Sequence, residues 1–209
     1  MFPLGNVSRR ISALPFMTIA IILLNAGAFY LEVTQGERFI YRYAAVPDKV
    51  MDGHAYETVI TAAFLHAGWV HIIGNMIFLW AFAPAMEEAM GSIKFVIFYV
   101  LGILASAAAH IYGEPNSTIP MVGASGAVAA VMGAFLVTYP RDTIRTLILR
   151  PFPSIINVPA IVLIGLWILL QFISVTTETR EANTGGVAYY AHIGGALFGA
   201  VAGRLFIWR

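Results

Sequence analysis

Gly123-Ala124-Ser125-Gly126-Ala127-Val128-Ala129-Ala130-Val131-Met132-Gly133-Ala134-Phe135-Leu136-Val137 is a run of small and apolar residues broken by a single hydroxyl. About 65 residues later, Ala191-His192-Ile193-Gly194-Gly195 stands near the start of a second such run, with a single imidazole. Both are apolar enough to lie in a bilayer, where an ionisable or strongly polar side chain is costly to hold and therefore points to function. Helices lined with glycine approach one another closely. A serine and a histidine planted on two of them can meet at hydrogen-bond distance, the geometry a serine nucleophile and its base require.

The composition is that of a membrane protein. Of the 209 residues, 59% are hydrophobic and 11% charged, with a mean hydropathy of +0.80; soluble domains average about 45–50% and 25%. The length leaves no room for a sizeable soluble module, so residues 1–209 are read as one membrane-embedded domain. A net charge of +1 argues against a nucleic-acid partner, and the absence of cysteine excludes disulfides, thiol catalysis and thiolate-bound zinc. Six segments have roughly the length a bilayer needs: about 15–33, 68–86, 93–112, 123–139, 158–175 and 187–207. The run from Pro15 to Val33, although preceded by Arg9 and Arg10, is too long for a signal peptide and is read as a retained span. The expected fold is an all-α polytopic membrane protein of six transmembrane helices.

Alternate connections differ in charge. One side holds Arg9, Arg10, Lys94, Arg141, Arg145, Arg150, Arg204 and Arg209, eight of the twelve basic residues. The other holds Glu32, Glu37, Asp48, Asp52, Glu57, Glu114, Glu178 and Glu181, eight of the eleven acidic ones. The excess of positive charge puts both termini in the cytoplasm; the membrane expected is a prokaryotic inner membrane. The connection from Thr34 to Leu65 is long enough to have its own role, and Tyr56 to Leu65 is expected to lie partly embedded in the interface. Residues 87–92, 113–120, 140–159 and 176–186 are expected to be plain connections.

With that orientation, the second, fourth and sixth spans enter from outside. His71, Asn75, Ser125 and His192 then fall in one layer, within about 12 Å of the outer surface at about 1.5 Å per residue, and Asn75 follows His71 by one helical turn. Ser125, Ala129 and Gly133 on one span and Gly195, Gly199 and Gly203 on another make small-residue stripes that would pack together. Each feature alone is equally a mark of helix packing; their conjunction at one depth favours catalysis.

In chain order, His66, His71-x-x-x-Asn75, Gly123-x-Ser125-Gly126 and Ala191-His192-x-x-Gly195-x-x-x-Gly199 resemble the rhomboid intramembrane serine proteases, over nearly the whole chain. Glu87 with Met90-Gly91-Ser92 resembles that family's acidic turn after the second span. The resemblance implies a rhomboid-like helical bundle whose active site opens to the extracytoplasmic side. Ser125 would be the nucleophile and His192 the base, with no aspartate; His71, Asn75 and the Ser125 N–H would form the oxyanion hole. Gly123, Gly126, Gly195 and Gly199 would pack helices, and His66 would either join the hydrogen-bond layer or cap the second span. The implied substrates are transmembrane or juxtamembrane segments of other membrane proteins, reached sideways past the fifth span and the 176–186 loop. No cofactor and no metal are implied, and no His-Glu-x-x-His occurs.

The chain departs from the family at two places. Tyr56-Glu57-Thr58 stands where many members have Trp-Arg, and Ala129 stands where some place an aromatic on the histidine, so another group must orient His192. His54 and His110 are read as structural, and Trp69, Trp80, Trp167 and Trp208 as interface or packing aromatics. Two rival readings remain: an inactive rhomboid-like protein that binds membrane clients, and a small transporter. Retention of both Ser125 and His192 speaks against the first; a lack of acidic and basic residues inside the spans speaks against the second.

Overall fold

Apolar runs of this length satisfy their backbone groups in lipid only as helices, and the chain is mostly helical. The computed structural model describes residues 1–9, 11–149, 152–177 and 188–207. Arg10, Arg150, Glu178, Glu181, Trp208, Arg209 and most of the 176–186 loop lie outside the described residues. The helices are α1 (Phe16–Gln35), the short α2 (Glu37–Tyr43), α3 (Pro47–Met51) and α4 (Thr58–Thr61), then α5 (Trp69–Met90), α6 (Ser92–Gly113), α7 (Ser125–Thr138), α8 (Ala160–Thr177) and α9 (Tyr189–Ala202). Among the described residues, α1, α5, α6 and α8 are long and apolar enough to cross a membrane. This is a multi-pass membrane protein.

The fourth and sixth expected spans yield shorter helices. α7 and α9 have 14 residues each, about 21 Å of helix against a hydrocarbon core of about 30 Å. After Ala202 the chain tightens into a 3₁₀ turn at Gly203–Phe206. α7 is the centre of the molecule: every residue from Gly126 to Phe135 is buried, with α9, α6 and α5 packed around it. A helix apolar on every side demands such a position.

The chain is not all-α. Residues 140–159, expected as a connection, form an antiparallel hairpin of β2 (Thr143–Ile148) and β3 (Ser154–Pro159). β1 (Phe2–Asn6) pairs with the free edge of β2, giving the order β1-β2-β3, and lies against α5. The hairpin had a legible signal in its β-branched residues, Thr143, Ile144, Thr146 and Ile148 before the turn and Ile155, Ile156 and Val158 after it; once folded, Ile144 and Thr146 are buried and Arg145 between them is exposed. β1 had none: Pro3 and Gly5 are poor strand residues, and pairing overrides that. Arg9 ties the two segments together through Asp142 at 2.6 Å, with its guanidinium 3.5 Å from the centre of the Tyr139 ring.

Two acidic residues stand where the charge pattern did not put them. α5 continues to Met90, so Glu87 belongs to its last turn rather than to a connection, and it is buried. Its carboxylate accepts hydrogen bonds from the Met17 and Thr18 N–H groups (2.9 and 2.8 Å), the Thr18 hydroxyl (2.8 Å) and the Ser92 hydroxyl (2.8 Å). The first amides of α1, which have no partner within the helix, thus receive a negative charge, the favourable pairing with the helix dipole. Gly91, at φ +77°, turns the chain from α5 into α6. Glu32, counted above as an external charge, is buried in α1 and accepts the His66 N–H at 3.0 and 3.1 Å. The helices therefore do hold buried carboxylates, which removes the sequence argument against a transporter.

The 34–65 segment is ordered. Ala62, Ala63 and Leu65 are buried, and Ala45 pairs with Met121 through 2.7 and 3.3 Å backbone bonds. The Gly123 N–H donates to Ala62 O at 2.9 Å. These bonds clamp the strand-like approach to α7 and so fix where Ser125 begins its helix.

Candidate active site

Ser125 is the first residue of α7, and His192 lies in the first turn of α9. What brings the two helices into register is missing side chains. A Cβ at Gly195 would collide with the Gly126 carbonyl, one at Gly199 with the Ala130 carbonyl, and one at Gly133 with the Ala196 carbonyl. α7 and α9 are thus in backbone contact, with His192 two turns from the Gly199 crossing. Gly126 instead makes room for Ser106 of α6, and Gly102 of α6 faces Ala130. Gly123, grouped in the sequence with the helix-packing glycines, precedes α7 and has another task. Its φ is +124°, and a Cβ there would stand 2.8 and 2.9 Å from His71 Cε1 and Nε2 and 3.6 Å from Asn75 Nδ2. The bare glycine lets both side chains of α5 lie against the main chain two residues before Ser125.

The resulting cleft has a volume of about 690 Å³, and Ser125, His192, His71 and Asn75 all line it. His192 Nε2 is 2.7 Å from Ser125 Oγ. The Ala67 N–H donates to His71 Nδ1 at 3.3 Å, which leaves the ring proton of a neutral His71 on Nε2, the atom beside Gly123. Asn75 Nδ2 is buried with no hydrogen-bond partner among the described residues, and a buried donor without a partner calls for an explanation. Together these are two N–H groups at the start of a helix whose own first amides are also free.

His66 does not cap α5. It is buried, its ring centre 5.1 Å from that of His71, and its backbone N–H is held by Glu32. Burial, with His71 beside it, pushes its imidazole down to about 4, so it is neutral at pH 7. His54 is exposed in the connection, and His110 is buried in α6. Among the described residues no three His, Cys, Asp or Glu side chains stand close enough to share a metal ion.

Two residues of the site were missed. Gln171 of α8 places Oε1 2.7 Å from His192 Nδ1. The Trp167 ring stands 5.4 Å from the imidazole at 41°, so it is a wall of the site and not only an interface or packing aromatic. The sequence signal for Gln171 is an amide in the middle of an otherwise strongly apolar span.

The sequence profile of the Rhomboid domain family matches residues 53–209. The chain is 26% identical to RHOMBOID-like protein 12, mitochondrial, of Arabidopsis thaliana, over 89% of this chain and 57% of that protein. It is 25% identical to Rhomboid protein 1, mitochondrial, of Saccharomyces cerevisiae, over 90% of this chain and 52% of that one. With Rhomboid protease GluP of Bacillus subtilis it shares 29% identity over 73% of this chain and 29% of the relative. The chain thus spans about half the length of the first two and less of the third. The mitochondrial names among these relatives lend no support to the expected prokaryotic inner membrane. On the extent of the profile match, more than half of its length, the chain belongs to the rhomboid family.

Proposed function

We propose that this protein is an intramembrane serine endopeptidase that cleaves transmembrane or juxtamembrane segments of other membrane proteins. One observation carries the reading: Ser125 Oγ and His192 Nε2 are 2.7 Å apart at the head of a buried helix, inside a cleft with two further N–H donors. Ser125 attacks the scissile carbonyl while His192 takes its proton. The oxyanion is received by the Ser125 N–H, His71 Nε2–H and Asn75 Nδ2–H, where the positive end of α7 also favours it. His192 then protonates the leaving amine, and water releases the acyl-enzyme by the same path. Six crossings, two of them the short α7 and α9, with cytoplasmic termini, belong to this proposal and open the cleft to the extracytoplasmic side. Its walls include Trp69, Val70 and Phe78 of α5 and Trp167 of α8, so a substrate helix enters between α5 and α8. That helix must unwind, because helical carbonyls are already bonded; Gly or Pro near the scissile bond helps. Both buried carboxylates have structural partners, Glu87 at the start of α1 and Glu32 on the His66 amide, which favours a protease over a transporter.

The test is incubation of the purified protein with a labelled transmembrane substrate across a pH series. A base accepts a proton only when neutral, so cleavage is expected near and above neutrality and to fall on acidification as His192 becomes protonated. EDTA is expected to leave the rate unchanged. Absence of cleavage, or a loss with EDTA that zinc restores, would overturn the serine reading. In the same assay Asn75→Ala is expected to slow turnover by ~10²-fold through one lost oxyanion donor. Its melting temperature should match the wild type, since the deleted amide nitrogen has no partner to lose.

A further inference from the structure

Gln171 projects from α8, whose buried residues, Ala160, Leu163 and Ile164, all lie in its first half. Beyond them, Gln171 meets the His192 ring through a hydrogen bond and Trp167 through a ring contact. The amide makes two hydrogen bonds, and each fixes the sense of the other. Gln171 Nε2–H donates to Trp167 O at 3.3 Å, one turn back on the same helix. The end that faces the imidazole, 2.7 Å from Nδ1, is therefore the oxygen, which can only accept. His192 must then donate from Nδ1, and the lone pair of the neutral ring is left on Nε2, 2.7 Å from Ser125 Oγ. Turned over, the amide would donate to Nδ1, the ring proton would sit on Nε2, and the serine would face a donor where it needs a base.

We infer that Gln171 is the positioning residue of the site, holding His192 in the Nδ1–H tautomer and aiming Nε2 at Ser125. The inference rests on the Ser125–His192 reading proposed above. It accounts for Ala129, whose methyl group offers the ring neither a stacking face nor a hydrogen bond to orient it. Trp167 at 5.4 Å and Tyr189 at 6.4 Å and 89° confine the plane of the imidazole, but ring contacts do not choose a tautomer.

The experiment uses the full chain, labelled with ¹⁵N-histidine in detergent, with three readouts: the His192 ring-nitrogen shifts, kcat on a labelled transmembrane substrate, and Tm. The wild type is expected to show His192 protonated at Nδ1. Gln171→Leu, close in volume but without an acceptor, is expected to move the ring toward the Nε2–H form. It should lower kcat about 10- to 100-fold with KM and Tm nearly unchanged, less than the roughly 10⁴-fold that a wrong tautomer costs a Ser-His-Asp triad. Gln171→Glu keeps an acceptor at the same place and is expected to keep the Nδ1–H form and most of the rate. Its carboxylate favours the imidazolium, so the acid limb of the pH–kcat profile should shift to higher pH. A Gln171→Leu protein that retains the Nδ1–H form at wild-type rate would overturn the inference, and so would an unmoved acid limb in Gln171→Glu, which decides the matter if the leucine variant fails to fold. Cleavage lost in Ser125→Ala but unchanged in Gln171→Leu removes this inference alone. Cleavage that survives Ser125→Ala removes the reading beneath it, while the tautomer measurement, needing no turnover, still judges Gln171.

Discussion

Alanine at Ser125 or at His192 is expected to abolish cleavage, each by about 10⁴-fold or more, with the double variant no worse than either single one. Groups that act as a unit in one proton transfer show this non-additivity, because removing either leaves the other with nothing to do. A fluorophosphonate should label Ser125 covalently in the wild type and fail in both variants, since the hydroxyl is activated only through His192 Nε2 at 2.7 Å. Ser125 is only half-buried, so losing its hydroxyl should leave Tm within a degree or so of the wild type. Substrate cleavage and Tm on the same preparations check this. A folded Ser125→Ala protein that cleaves at the wild-type rate would end the protease reading, and additive losses would mean that the two side chains do not share one proton.

Gly199→Val is expected to damage both the fold and the site. The missing Cβ points at backbone, the Ala130 carbonyl and the Ala134 nitrogen, and backbone cannot swing aside as a flexible side chain can. Overpacking of this kind costs about 1–3 kcal/mol or more, which for a chain of this size lowers Tm by about 3–10 °C. α9 must move away from α7, and it carries His192; a displacement of about an ångström is enough to cost a reaction ~10²-fold. Leu197→Val, on the exposed side of the same helix, should change neither quantity. Differential scanning with turnover in detergent separates these cases, and a Gly199→Val protein with wild-type Tm and rate would show that the α7–α9 contact does not hold the site together.

His71 and Asn75 were legible together because four residues along a helix is one turn, a spacing that needs no tertiary information. The glycines at 195 and 199 were legible as a stripe, but their partners were not. Gly199 meets Ala130 and Ala134, one residue on from the face of α7 expected to receive it.

Composition and local pattern specify a membrane chain, apolar helices, a serine and a histidine each among small residues, and a short helical spacing that pairs two donors. Folding of the whole chain brings Ser125 to His192, sets the Gln171 side-chain oxygen against the imidazole, and buries Glu32 and Glu87 away from water. It also closes β1 on a hairpin more than 130 residues away. The physical reason is one of range. Periodicity and burial preference act within a few turns of one helix. Which residues of two helices face each other depends on where each helix starts, how far it runs and at what point the backbones touch, and those follow from packing the whole chain.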